Sequence, residues 1–519
     1  MAQVLPKELR LGAPPTMPRA RSYLFKQQSA QTTYSPGQTI QINLPRLQRS
    51  YLTKDSYLKF AVQFSGTAVA GTTDGTGLAR YPWCWDTIGA NGLIDKIEVY
   101  DYLGSTLLES TAGHGQLLTL LMDMGSFSEE YRSHYNTTQG MWSNGPTGTF
   151  KSGTTALALA GAAGTVLKDA DVYDTSPPTG APIIDSGTTT LVTREYAIPL
   201  FSFLGLLSTK FAPLHNGYTI NITLNPMNIA AGNLDINNST FISGGGLLTA
   251  ASLGSSTQAP VWTIRDIYLC SQVLELGGEA EALLQQSTGG GAYIVPTKAF
   301  RNYIGSFAGS TSTYRLDLNL NVASLTNILW MMRPTSYING YQRSLSDRVR
   351  NYLQSWYFQY GSSILPQTSG IQCRSKNTVP TYGQEGALTT DAIVDIYDHS
   401  EAYNELIKSR HAFNRPTHCT TINTSSFTQD EVPTKGVLWA RNTTPTSKFA
   451  CGLDLELVSG RSNDMICGMN TNGMNTSIYA TFDTNNKAAK TVPAARVDAW
   501  CEYDAFINVL PGVASTVSF

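Results

Sequence analysis

The second half of this chain repeats, in the same order, landmarks of its first half. Gly37-Gln38-Thr39-Ile40-Gln41-Ile42-Asn43-Leu44 opens an alternating strand, and Gly309 to Leu318 opens another. Each half then reaches a short helical stretch. Ser208-Thr209-Lys210-Phe211-Ala212 leads into a strand, as does Thr446-Ser447-Lys448-Phe449-Ala450. Arg265 to Cys270 closes the first half and Arg496 to Cys501 the second, each running into an apolar strand. These ordered echoes predict a duplicated all-β domain, which constrains function more than any local motif does.

The length suits a duplication. A single hydrophobic core stops growing at roughly 250 to 300 residues, and 519 residues allow two. Charged residues make up only 14% of the chain against a usual ~25%, so Ser, Thr, Asn, Gln and the 45 glycines fill the polar positions. Charged helical faces are scarce, and the β-branched and aromatic content favours strands joined by Gly, Asn, Ser and Pro turns. A formal net charge of -2 argues against a chain that binds nucleic acid over its whole surface.

The seven cysteines (Cys84, Cys270, Cys373, Cys419, Cys451, Cys467 and Cys501) are scattered and contain no Cys-x-x-Cys pair, so they read as buried free thiols. Met1 to Lys7 lacks the apolar run of a secretory signal, and no stretch approaches the ~18 apolar residues of a membrane span. A reducing cytosol or nucleus is the expected place of folding. The Asn-x-Ser/Thr sequons follow from a composition rich in Asn and Thr.

Residues 1–28 form a leader with four prolines and the basic residues Lys7, Arg10, Arg19, Arg21 and Lys26 against the single acid Glu8. It reads as a solvated tail or as an arm that docks on a neighbour or an acidic surface. A first β domain is expected over residues 29–288 and a second over 289–519, divided at Gly289-Gly290-Gly291. Within them, strands are read at 57–64, 218–224, 261–276, 314–320, 436–440, 452–458, 477–482 and 497–509, and a hairpin over 93–109 turns at Gly104. Helical patterns are read at 116–124, 346–357 and 402–413. Residues 65–80, 143–190, 228–257 and part of 362–390 are expected as long loops. About eight strands per half, with short helices between them, is the strand set of a jelly roll.

Enzymatic signatures are missing. There is no His-Glu-x-x-His, no Gly-Lys-Ser/Thr phosphate loop and no Gly-x-Ser-x-Gly. His411, His418 and Cys419 are the nearest approach to a metal grouping, and Pro416 interrupts them, so a loop turn is the reading. The acidic pairs Glu129/Glu130, Glu279/Glu281 and Asp395/Asp398 read as solvated faces or helix starts rather than as the two carboxylates of a glycosidase. Tyr81-Pro82-Trp83-Cys84-Trp85 suits a packed end of a sandwich or a subunit interface better than a stacking platform. No catalytic residue, cofactor or metal is expected.

Several segments carry a resemblance. They are Ser35 to Pro45 with Tyr57-Leu58-Lys59-Phe60, the hairpin from Leu93 to Leu108, Phe211-Ala212-Pro213-Leu214 before Tyr218 to Leu224, and Gly468-Met469-Asn470-Thr471-Asn472. In architecture and spacing the chain resembles the double jelly-roll major capsid proteins of double-stranded DNA viruses, those of virophages and polinton-like viruses in particular. The resemblance implies two consecutive eight-stranded jelly-roll sandwiches, homotrimers that tile an icosahedral shell, outward loops, and a basic arm facing minor or penton capsid proteins, an internal membrane or packaged DNA. It places the protein in the virion, with no cofactor and no enzymatic activity. Two alternatives stay open: a single jelly roll with large loops or a minor capsid protein, and a carbohydrate-binding or receptor-binding β-sandwich.

Overall fold

The computed structural model describes residues 20–65, 83–85, 88–102, 104–125, 138–139, 150–153, 166–169, 192–208, 210–226, 234–236, 242–243, 246–247, 261–288, 292–335, 348–367, 369–373, 400–409, 427, 448–456, 468–482 and 492–519. Eight strands build a first sandwich: β1 Ala20–Gln28, β2 Thr39–Leu44, β3 Tyr57–Ser65, β4 Ile94–Asp101, β5 Leu107–Ala112, β6 Val192–Pro199, β7 Tyr218–Leu224 and β8 Val261–Leu276. Eight more build a second: β9 Tyr293–Phe307, β10 Thr313–Leu318, β11 Leu325–Pro334, β12 Leu353–Tyr360, β13 Ser363–Leu365, β14 Cys451–Asp454, β15 Thr476–Phe482 and β16 Ala495–Val509. Helix α1, His114–Gly125, follows β5; α2, Gly278–Ser287, links β8 to β9; and α3, Ser400–Lys408, precedes β14.

The two sandwiches have the same topology. In the first, one sheet runs β1-β8-β3-β6 and the other β2-β7-β4-β5. In the second, the orders are β9-β16-β11-β14 and β10-β15-β12-β13, so that every strand sits where its counterpart eight earlier sits. All these pairings are antiparallel. Two four-stranded sheets whose first strand pairs with the last and whose second pairs with the seventh are the double Greek key of a jelly roll. Short strands such as Ser50–Leu52 and Thr516–Ser518 extend three of the four sheets.

Alternation explains why these segments are strands. In β2, Ile40, Ile42 and Leu44 are buried while Thr39, Gln41 and Asn43 are exposed, and β7 opposes them with buried Ile220 and Ile222. Gly104, at φ +67°, closes the β4–β5 hairpin, and the carboxylate of Asp101 accepts from the backbone N–H groups of Ser105 and Thr106. The second core is dominated by tryptophan, with Trp330 of β11 edge-on to Trp356 of β12 at 5.5 Å.

The echoes are resolved unequally. Gly37 and Gly309 lead into the second strand of their sandwiches, and Arg265 and Arg496 lie on the eighth. Lys210 precedes a seventh strand, however, whereas Lys448 precedes a sixth. The helical pattern at 346–357 is corrected: Leu353–Tyr360 is strand β12, because Trp356 and Phe358 turn into the core at a spacing of two, and Asn351 and Tyr352 have φ of 54° and 62°. Expected strand 436–440 lies outside the described residues, as do 66–80 and most of the other expected loops, whose described parts include short strands such as Phe150–Gly153, Val166–Asp169 and β13. Among the described residues, no helix is long and apolar enough to cross a membrane.

Candidate assembly interface

The two sandwiches are joined by polar and aromatic contacts that read as one continuous seam. The cores themselves interlock. Tyr293, Val295, Ile507 and Val509 of the second half complete the first core, and Leu117, Leu120 and Phe201 of the first half complete the second. Strand β5 runs beside β9. There Phe201 stacks on Phe300 with ring centroids 5.6 Å apart, and His114 meets Phe201 edge-on at 5.7 Å. Burial drives the His114 imidazole down to about 4, so the ring is neutral.

Helix α1 anchors a buried ion cluster. Asp123 accepts 2.8 Å contacts from both Arg348 and Lys448, whose side chains are as buried as its own. Charges taken out of water at this depth are tolerated only when matched in this way. In β5, Glu109 is also buried. Burial pushes its carboxyl up to about 7, although Ser202 Oγ and the Phe203 N–H both donate to Oε2.

Glu281 forms a second hub on α2. It accepts from Tyr51 at 2.8 Å and from Tyr293 at 2.6 Å, and its Oε1 lies 3.0 Å from His215 Nε2. Burial by itself would raise this carboxyl, but the donors from Tyr293, Tyr51 and His215 outweigh it and hold the group below the usual carboxylate range. One residue thus ties the first sandwich, the linking helix and β9 together. Nearby, Asn216 donates to the carbonyls of Leu510 and Val513 and accepts from the Gly512 N–H.

The exposed edges are the surfaces left for other molecules. Among the described residues, β1 pairs with β8 alone, and β9 pairs with β16 apart from one bridge at Ser208. Both present large apolar side chains outward: Leu24 on β1, and Ile294 and Ile304 on β9, each more than half exposed. Unpaired edges carrying apolar side chains are surfaces that natural proteins cover.

The residues singled out from the sequence fall as follows. Ala20–Gln28, read as the end of the basic arm, is strand β1, held by nine-residue pairing with β8 and by Tyr23 and Phe25 leaning on the first core. Arg21 there pairs with Glu275 at 2.6 Å and lies over the Tyr23 ring, and Lys26 points from the same strand, exposed. Lys7, Arg10 and Arg19 lie outside the described residues, as do His411, His418, Cys419, Glu129, Glu130, Asp395 and Asp398. Trp83–Trp85 pairs with Leu234–Ile236. Glu279 and Glu281, read as a solvated face or helix start, do lie in the first turn of α2; Glu279 is exposed, whereas Glu281 is the buried hub, because two tyrosines and a histidine converge on it. Cys270, Cys373, Cys451 and Cys501 are free and buried. Sequence reasoning missed the seam, whose partners lie far apart in the chain and carry no local motif.

No protein-family model matches this chain, and no curated protein sequence does. Solved structures do. A chain of the Sputnik virophage structure, determined by cryo-electron microscopy, superposes with a TM-score of 0.56 at 12% identity, covering 100% of this chain and 93% of that one. PBCV-1 Vp54, a crystal structure fitted into a cryo-electron microscopy reconstruction of Sputnik, gives 0.50 at 9% identity, covering 98% of both. The mavirus major capsid protein gives 0.46 at 10% identity, covering 100% of this chain and 95% of that one. At such identities the likeness is one of fold, and in the first two it spans both sandwiches and the link between them. The chain is a double jelly-roll protein, built along its whole length on the fold it shares with the Sputnik virophage chain and PBCV-1 Vp54.

Proposed function

We propose that this chain is a major capsid protein, the structural subunit of an icosahedral virion shell. The observation that carries the reading is the pair of topologically identical jelly rolls locked through a buried seam into one block, a form shared end to end with chains of virus structures. Three such blocks supply six similar sandwiches, so a homotrimer approximates a hexagonal tile. A surface poor in charge suits tiling, since desolvating ions at repeated seams is costly. The apolar edges of β1 and β9 are the surfaces this reading assigns to neighbouring copies.

In this reading the long segments between strands form the outer surface, and residues 1–19, with Lys7, Arg10 and Arg19, face inward toward minor or penton capsid proteins, an internal membrane or packaged DNA. A few basic residues bind anionic surfaces in a salt-dependent way. The mechanism is assembly, without a cofactor. Electron microscopy of the purified protein tests it: three-lobed pseudo-hexagonal particles that associate into sheets or shells support the reading, and single two-lobed particles under all salt conditions contradict it.

A further inference from the structure

The outer face of the β2-β7-β4 sheet carries a cleft of about 530 Å³ whose chemistry differs from the rest of the surface. Register places Asn43, Thr219 and Tyr100 side by side in one row, and Gln41, Asn221 and Glu98 in the next, with Glu98 paired to Lys96 at 2.5 Å. Tyr102, from the β4–β5 turn, forms the rim. No charged side chain and no aliphatic one lines the cleft.

Its amides are available, while the Tyr100 hydroxyl is taken by Glu98. Asn43 uses Oδ1 to accept from Thr219 Oγ1 at 3.2 Å, which leaves its NH₂ free to donate. The amides of Gln41 and Asn221 make no hydrogen bond among the described residues. Tyr102 is held as a platform although it is 44% exposed. The Arg46 guanidinium lies 4.5 Å from its ring centroid and is itself fixed by the carbonyl of Asn216. Gly217, at φ +71°, makes the room: a Cβ there would come within 2.9 Å of Tyr102 Cδ2.

A fixed aromatic ring beside amides that offer donor and acceptor together matches one ligand chemistry. A sugar has an apolar C–H face, which an aromatic ring takes, and a rim of vicinal hydroxyls, which paired amides take. Phosphate-bearing ligands would need a cation, and those on this side of the sheet are engaged, Arg46 on the Tyr102 ring and Lys96 with Glu98. A lipid or an apolar peptide would need aliphatic walls. A second copy of this chain would need roughly 800 Å² of matched surface per partner, far more than a pit six side chains wide.

We propose that this cleft binds a neutral oligosaccharide, with Tyr102 stacking on a sugar ring and Gln41, Asn43 and Asn221 hydrogen-bonding its hydroxyls. The test is saturation-transfer NMR followed by calorimetric titration of the full-length protein with neutral trisaccharides: chitotriose, maltotriose and mannotriose. At least one should bind at about millimolar affinity or better, and Tyr102→Ala and Asn221→Ala should each weaken it by about tenfold, while Tyr102→Phe keeps it within about threefold. Unchanged circular dichroism of the variants ties any loss to the cleft. No binding by the wild type at about 10 mM sugar overturns the proposal, as does binding that both alanine variants retain. Loss of self-association in Tyr102→Ala, with no sugar bound by the wild type, would overturn it in favour of a contact between copies.

Discussion

The indole N–H of Trp500, in the last strand of the second sandwich, donates to the carbonyl of Ala112 in the first at 3.1 Å, and the neighbouring Gly113 lies against the same ring. Gly113 sits at φ +63°, and a Cβ there would approach Trp500 Cζ2 to 3.1 Å. Gly113→Ala is therefore expected to cost about 1–3 kcal/mol in urea unfolding, from strain and displacement of the ring together. Trp500→Phe, which keeps an aromatic ring but loses the N–H and part of the indole's bulk, should cost less than Trp500→Ala. An unchanged Gly113→Ala would show that this contact does not hold the sandwiches together.

Asp123 sits between Arg348 and Lys448 with its carboxylate spent on both. Asp123→Asn removes the anion and leaves two buried cations facing each other, with an expected loss of about 3–5 kcal/mol. The double variant Asp123→Asn/Lys448→Met removes one of those cations and should recover part of the loss. Differential scanning calorimetry of the single and double variants reads both effects.

Glu109 gives stability a pH dependence whose sign is fixed by its direction of shift. Its folded carboxyl is pushed up to about 7 from an ordinary 4.5, so the folded state binds the proton more tightly than the unfolded chain does. The contribution is fully present below pH 4.5 and is lost as pH rises through 7, about 3 kcal/mol in all. His114 runs the other way. Its neutral ring favours the fold above pH 6.5, and that support fades as pH falls toward 4. Glu109→Gln should thus gain stability over the wild type at pH 8 and none at pH 4, measured as the difference in urea midpoints.

At the Glu281 hub, a carboxylate held below its usual range contributes stability above the unfolded pKa that is lost at acid pH. Glu281→Leu leaves Tyr51, Tyr293 and His215 without their common acceptor and should destabilise by about 2–4 kcal/mol at pH 7. The deficit should shrink at low pH. A deficit that stays constant down to acid pH would show that packing, not the charge, is what the residue supplies.

Much of the sandwich was legible because alternation is a local signal. Tyr218–Leu224 and Val261–Leu276 have the bounds that the sequence pattern assigns, and the hairpin turns at Gly104. Residues 346–357 read as helix because Val349, Tyr352, Leu353, Trp356 and Tyr357 fit a helical spacing; only the core across the sheet selects the strand over 353–360. The seam was illegible for another reason. Asp123 meets Lys448 across 325 residues and Trp500 meets Ala112 across 388, so no window of sequence contains both partners. A buried Glu281 reads as a solvated face or helix start until its partners are in place. The Lys210 and Lys448 echo failed because similar words precede different strands.

The proposed capsid role requires this double jelly roll to work as a trimer. Sedimentation velocity of the purified protein across micromolar concentrations tests it most directly. The account predicts a species of three times the 56.3 kDa chain mass that persists on dilution, as an obligate interface does. A single species at the mass of one chain throughout that range would contradict it.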